Sequence, residues 1–457
     1  MQELTALIWP EVDNLLKEGL ASENRAQLRE ILDDLHPADI ADLLEALDAE
    51  PAAALFELLD NGEQREVFEF LEEEDQLQLL EQLGLQRMAS VIETMSSDDR
   101  ADLVKRLPEQ TVQRLLPLVA QAERNDIRRL VQYEEGTAGA IMSSEYAALP
   151  AELTVEKALA QLRQVAPHRE TIYYVYLVDA ERRLQGVLSL QELIIAQPHR
   201  RLSELMRLNP IYVQVNDDQH EVAQKLSYYD FIALPVLDEQ QRMVGIVTYD
   251  DAMDVAEAGA TEEFQRAGGS FALGEVSPGR APVWLLYRKR IFWLVVLVFG
   301  NLFSGAGLAH FEDTLAANVA LVFFLPLLID SGGNAGAQAA TLVVRALATG
   351  DLHMRDWSRM LSRELMVALM LGFTMAASIW GIGVLRGGPA IALAVALSMV
   401  CIVVIGSLIG MSLPFLLSRL RFDPATASAP LITSICDVTG VIVYMSIAVY
   451  ILSEIAL

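Results

Sequence analysis

Cysteine is almost absent from this 457-residue chain: only Cys401 and Cys436 occur, both inside apolar segments. That excludes a disulfide framework and a cysteine-based metal site. A Walker-type phosphate loop, a His-Glu-x-x-His pair and a Gly-x-Ser-x-Gly elbow are also missing, so an enzyme of the ATPase, zinc-hydrolase or serine-hydrolase kind is not expected. The start, Met1-Gln-Glu-Leu, has no basic region leading into an apolar run, and no cleavable signal peptide is expected. No cationic residue occurs from Pro430 to the C-terminus.

Charge divides what remains. Residues 1–280 hold 24 Lys and Arg against 53 Asp and Glu, a net of -29, whereas residues 281–457 hold 10 against 9. A large negative field opposes nucleic acid and anionic lipid and favours cations or basic partners. No nucleic-acid partner is expected.

Hydropathy marks five spans in the neutral part, near 291–309, 315–347, 365–385, 390–417 and 430–453, most with the roughly 20 residues needed to cross a bilayer. Arg288, Lys289 and Arg290 precede the first, Arg345, Arg355, Arg359 and Arg363 surround the second connection, and Arg419 and Arg421 the fourth. The positive-inside rule then predicts a multi-pass protein of the cell (inner) membrane, surrounded by lipid, with a cytoplasmic N-terminus and an extracytoplasmic C-terminus.

Two of these spans carry polar groups. The second holds Asp330, Gly332, Gly333, Asn334, Gly336 and Gln338 after Pro326. Freed backbone and polar side chains at membrane depth suit a pore lining, assigned here to Asp330, Gly332, Gly333, Asn334 and Gln338. Close helix packing through Gly332, Gly333, Gly336 and Ala340 is the competing reading. The fifth span holds Asp437, and a carboxylate inside a bilayer costs several kcal/mol unless it meets water, a partner or an ion. Asp437 is therefore the prime candidate on a cation pathway, against the alternative of an interhelical hydrogen bond to Thr433 or Thr439.

Ahead of the membrane part, Val175 to Glu192 returns as Leu234 to Asp251, 59 residues on, counted from Gly186 to Gly245. Each copy reads as strand, polar turn, strand and helix start, with an amphipathic helix upstream. The unit resembles a CBS domain, and two of them resemble the paired module that binds adenine nucleotides. That resemblance implies that the Thr248 hydroxyl meets a nucleotide phosphate and the Asp251 carboxylate its ribose, with ATP as a regulator rather than a fuel; Glu192 stands where the first copy would carry Asp. Residues 1 to about 130 show helical periodicity throughout, as in Ile40, Leu43, Leu44 and Leu47, and His36 to Leu44 echoes Ser97 to Val104.

The expected fold is multidomain: an acidic all-α superhelix (1–130), α/β CBS repeats (138–198 and 199–256), a connecting helix (257–285) and an all-α membrane domain of five transmembrane helices (286–457). This arrangement, with Gly332-Gly-Asn334-Ala-Gly336-Ala-Gln338, Asp423-Pro-Ala and Pro430 to Gly440, resembles the MgtE family of magnesium channels and transporters. The resemblance implies a homodimer in which Asp437 contributes to the pore ion site. It also implies regulatory cytosolic Mg2+ held at Glu66, Asp98, Asp102, Asp218, Asp230, Asp251, Asp254, Glu262 and Glu263, closing the pore through a plug helix.

Chemistry agrees with such a cargo. Magnesium keeps several waters and takes one or two carboxylates, and carboxylates rather than His or Cys favour magnesium, calcium or manganese over softer metals. Two carboxylates about 4 Å apart repel by roughly 4 kcal/mol at an effective dielectric near 20, so acidic faces need cations to close. The rival readings are a transporter of another divalent metal such as cobalt or manganese, or a membrane-anchored metal or nucleotide sensor.

Overall fold

The computed structural model describes residues 10, 12, 14–16, 22–271, 273, 278–426 and 428–455. It divides into two compact units, Met1–Glu257 and Ala258–Leu457.

The first unit opens with a stack of short helices: α1 (Ser22–Asp33), α2 (Pro37–Glu45), α3 (Ala49–Phe56), α4 (Asn61–Phe70), α5 (Glu73–Thr94), α6 (Ser97–Arg106), α7 (Glu109–Leu115) and α8 (Gln121–Leu130). Local signals cut it into short pieces. Asp60 accepts from Gly62 and Glu63 while Glu63 accepts from the Asp60 amide, a reciprocal cap that starts α4. The two echoing segments both become helix starts, at Pro37 and Ser97. One apolar face of each helix feeds a shared core that includes Leu28, Leu43, Phe56, Phe68, Leu80, Ile92 and Leu103. Inside that core the Gln64 amide donates to the Phe56 and Leu59 carbonyls, and that of Gln76 to Phe68. Those bonds satisfy backbone groups at helix ends that burial would otherwise penalise.

Two small sheets follow. Strands β1 (Tyr146–Pro150), β2 (Thr171–Val178), β3 (Leu184–Ser189) and β4 (Arg207–Leu208) pair in that order, and β5 (Val213–Gln214), β6 (Ala233–Leu237) and β7 (Met243–Thr248) form the second sheet. Helices α9 (Val155–Val165), α10 (Leu190–Ile195) and α11 (Gln219–Tyr229) complete the two repeats. In each copy the first strand runs parallel and the last antiparallel to the middle one. The repeat is kept in the register itself: Leu177 opposes Gly186, and 59 positions later Val236 opposes Gly245. Both glycines are there because backbone crosses them. A Cβ on Gly186 would lie 2.9 Å from the Arg207 carbonyl, and one on Gly245 2.8 Å from that of Ser143.

Helix α12 (Tyr249–Ala267) runs directly from β7. The connecting helix thus begins eight residues before the expected 257 and ends at Ala267; beyond it, residues 272 and 274–277 lie outside the described residues.

In the second unit, α13 (Val283–His310), α15 (Ala320–Ala348), α16 (Trp357–Arg419) and α17 (Ala429–Ile455) are long and apolar enough to cross a membrane, with a short α14 (Glu312–Ala317) between the first two. Helix α16 is 63 residues long but breaks at Gly388, where φ is 79° and ψ 179°, values a side chain would resist. In an uninterrupted helix, residues 372 and 400 would stand about 42 Å apart. Instead a Cβ on Gly372 would lie 3.0 Å from the Val400 Cα. The chain therefore doubles back, and α16 contributes two antiparallel arms, which brings the apolar helical segments to five.

Helix α15 sits between these elements. Its Gly332 and Gly336 meet Gly406 and Gly410 of the second α16 arm backbone to backbone, and Gly333 meets Thr433 of α17. Small residues at four-residue spacing let the helices approach this closely.

Candidate functional site

Asp437 lies on α17, half-buried, on a helix without a basic residue. Neither threonine proposed as its partner serves it: the Thr433 hydroxyl donates to the Ala429 carbonyl at 2.9 Å and that of Thr439 to Ile435 at 3.0 Å. Across from it, α15 has two distinct faces. Gly332, Gly333, Ala335, Gly336, Ala339 and Ala340 are buried, whereas Asp330, Asn334 and Gln338 are exposed at four-residue intervals. The packing reading of this span holds for its buried side, and the polar residues lie on the exposed one. Gly332 and Gly333, expected in the lining, are packing residues; Asp330, Asn334 and Gln338 form the polar stripe. Helix periodicity separates them, since positions four apart share a face and neighbours do not.

A second set of carboxylates gathers in the first unit. The Ser96 hydroxyl donates to Asp99 at 2.7 Å at the start of α6, whose first turn also holds Asp98. Asp98 is only 6% exposed, and its Oδ1 has no hydrogen-bond partner among the described residues. Asp251, in the first turn of α12, accepts from the Thr248 hydroxyl. Each lies within the other's electrostatic reach, and Asp99, Asp250 and Glu170 add their fields. Burial, reinforced by these neighbours, holds Asp98 well above the usual carboxylate range. It pushes Asp251 up to about 8 and Glu170 up to about 7. Arg100, the nearest buried cation in sequence, is occupied by Glu145 at 3.0 Å and by the Met95 carbonyl. Arg106, whose field lowers Asp99, is itself paired with Glu73.

Whether a cation suits it follows from the donors. All are hard carboxylate oxygens, one is orphaned, and among the described residues no three His, Cys, Asp or Glu converge into a cage.

The other expected regulatory residues are dispersed. Asp102 is paired to Lys105 at 3.0 Å, which also holds Glu135 at 2.7 Å. Asp254 follows Asp251 by one turn and feels Asp250, Glu257 and Asp99. Glu66 is exposed on α4, 3.6 Å from Arg65. Asp218 and Asp230 are split by α11: the first caps its N-terminus, accepting from His220 at 2.8 Å, and the second ends it in a left-handed conformation. Twelve positions along the helix put them about 18 Å apart. Glu262 is ion-paired to Arg266, whose other nitrogen reaches Asp423 in the turn before α17, and Glu263 stands exposed beside it. Asp99, Glu170 and Asp250 were not foreseen; Glu170 precedes β2, and no spacing connects it to α6.

A separate cleft of about 220 Å³ lies between the two repeats, lined by Tyr174, Tyr176, Ser189, Glu192, Arg207 and Phe231 among others. Thr248 and Asp251 are not part of it. Thr248 is buried and its hydroxyl donates to Asp251; the corresponding residues of the first copy, Ser189 and Glu192, are the ones that line the cleft, bonded to one another in the same way.

A helical acidic domain, a CBS pair and a bundle of apolar helices with a carboxylate-bearing face define a membrane protein with a regulatory module. Family models match all three parts: the MgtE intracellular N domain over residues 35–136, the CBS domain over 138–199 and 202–258, and the MgtE divalent cation transporter over 325–447. The chain is 44% identical over 356 residues to the magnesium transporter MgtE of Thermus thermophilus, covering 77% of this chain and 79% of that one. It is 31% identical to the magnesium transporter MgtE of Bacillus subtilis, over 80% and 81%. A crystal structure of the cytosolic domain of the Mg2+ channel MgtE in complex with ATP superposes with a TM-score of 0.50 at 41% identity, over 53% of this chain and 98% of that one. The crystallised soluble part of a magnesium transporter gives 0.51 at 32% identity, over 57% and 99%. The chain belongs to the MgtE family. Its relatives are named as transporters, a non-enzymatic function.

Proposed function

We propose that this protein carries Mg2+ across the cytoplasmic membrane, along a path at a homodimer axis where Asp437 of each subunit faces the hydrated ion. The observation that carries this reading is the polar stripe: Asp330, Asn334 and Gln338 turn away from the packed side of α15, next to the helix of Asp437. A merely anchoring bundle has no use for an exposed row of a carboxylate and two amides at membrane depth. The relatives named magnesium transporters support the cargo. The basic residues flanking the spans, and the cytosolic origin of the superposed domain, support a cytoplasmic front unit and an extracytoplasmic C-terminus.

Cytosolic Mg2+ closes the path by settling between the acidic faces that Asp98, Asp251 and their neighbours form. Ions that bind the compact arrangement better shift the population towards it. In α12, Arg266 pairs with both Glu262 and Asp423, so this end of the helix is tied to the turn before α17 by a guanidinium. An adenine nucleotide in the Tyr174–Phe231 cleft is the second proposed regulator, supported by the ATP complex of the related cytosolic domain. Proteoliposome flux of Mg2+, Ca2+, Mn2+ and Co2+, with and without internal Mg2+, tests the reading. Asp437→Ala is expected to fold, to assemble and to pass no Mg2+; equal flux of all four ions in the wild type and the variant would leave only a membrane anchor.

A further inference from the structure

The charge at the depth of Asp437 is not supplied by Asp437 alone. Helices α15 and α17 run antiparallel, and their contacts give the register: Gly440 sits against Ile329, Gly333 against Thr433, and Gly336 against Ile432. Interpolating between the first two pairs sets Asp437 level with Asp330. Electrostatics agrees, since Asp330 is the charged group whose field Asp437 feels. Asp330 is exposed on the protomer, and the Asn334 amide donates to its Oδ2 at 2.9 Å, which orients the carboxylate and leaves Oδ1 without a protein hydrogen bond among the described residues. Neither acid has an ion-pair partner among those residues. The only basic residue of α15 is Arg345, fifteen positions on, about 22 Å along the axis.

We propose that Asp330 is an affinity-determining residue of the cation path, adding a second carboxylate per subunit at the level of Asp437. The inference rests on the reading of Asp437 as a pore residue. A two-fold axis repeats every group once, so the dimer carries four carboxylates at one depth rather than two. Asn334 holds Asp330 from behind while its outer oxygen addresses the ion's water shell. Charge of one sign in a low-dielectric cleft raises the local concentration of counter-ions, and does so more for a divalent than for a monovalent ion.

The experiment is Mg2+ uptake by the full chain in proteoliposomes, comparing Asp330→Asn, Asp330→Glu and Asp437→Asn at low and high ionic strength. Monodisperse dimers in detergent serve as the folding control. Asp330→Asn is expected to transport, with a half-saturating Mg2+ concentration about tenfold higher at low ionic strength. The difference should shrink as salt screens the site, and Asp330→Glu should restore the wild-type value. A residue that only packs would show neither the salt dependence nor the rescue. Wild-type saturation for Asp330→Asn, beside a silent Asp437→Asn, overturns the role of Asp330 and leaves the path intact. Silence of both folded Asp330 variants also overturns it, because a graded charge cannot be indispensable. Normal transport by Asp437→Asn removes the pore reading itself.

Discussion

At the scale of single residues, the two carboxylates at the centre of the proposal stand in opposite environments. Asp437 stands half-buried on a helix without a basic residue, whereas Asp98 is enclosed with an oxygen that has no hydrogen-bond partner among the described residues. An enclosed, unpaired carboxylate destabilises the fold it sits in. Asp98→Asn is therefore expected to stabilise the divalent-free protein by about 1–3 kcal/mol while weakening the further stabilisation that Mg2+ brings. Thermal denaturation with and without Mg2+ checks both halves, and an unchanged response to Mg2+ would remove Asp98 from the regulatory set. Asp98 was marked by family resemblance, but Glu170 and Asp250 carry no mark in the sequence because they reach the cluster from segments far from α6 in the chain.

At the scale of elements, glycine decides how closely the membrane helices pack. Gly336 touches the Gly406 backbone, with a Cβ there 2.9 Å from Ile432 as well. Gly336→Val should force α15 away from both α16 and α17, costing about 1–3 kcal/mol or more through overpacking. The expected result is a lower unfolding temperature and reduced flux together, since the same displacement moves Asp330 and Asn334. Retained stability with normal flux would mean the helices can repack. The break at Gly388 is a second such element: hydropathy showed two spans here, and a left-handed glycine with Pro389 behind it turns one continuous helical run into a hairpin.

At the scale of the molecule, the acidity of the front unit becomes a pH dependence. Asp251 is raised from 3.8 to about 8 by burial, so the folded form holds its proton more tightly than the unfolded one. The stability it contributes is complete below about pH 4 and is lost as pH rises through about 8. Glu170, raised to about 7, acts in the same direction over a narrower window. The divalent-free protein should thus melt at progressively lower temperature from about pH 4 to about pH 8, and saturating Mg2+ should flatten that slope by replacing the protons. A slope that Mg2+ leaves untouched would count against cation binding at these faces.

Length of apolar runs, helical and strand periodicity, and the 59-residue repeat are local properties, and they alone determined the order of a helical acidic domain, a doubled βαββα unit and a bundle of apolar helices. Hydropathy likewise placed Asp330 and Asp437 at membrane depth. Facing was decided only by tertiary packing. Which side of α15 is glycine seam and which is polar stripe, which acids share a pocket and which are capped or ion-paired, and which repeat opens the cleft all depend on contacts between segments far apart in the chain. Local propensity is silent on such contacts, because burial and charge are properties of surroundings that exist only once the chain has folded.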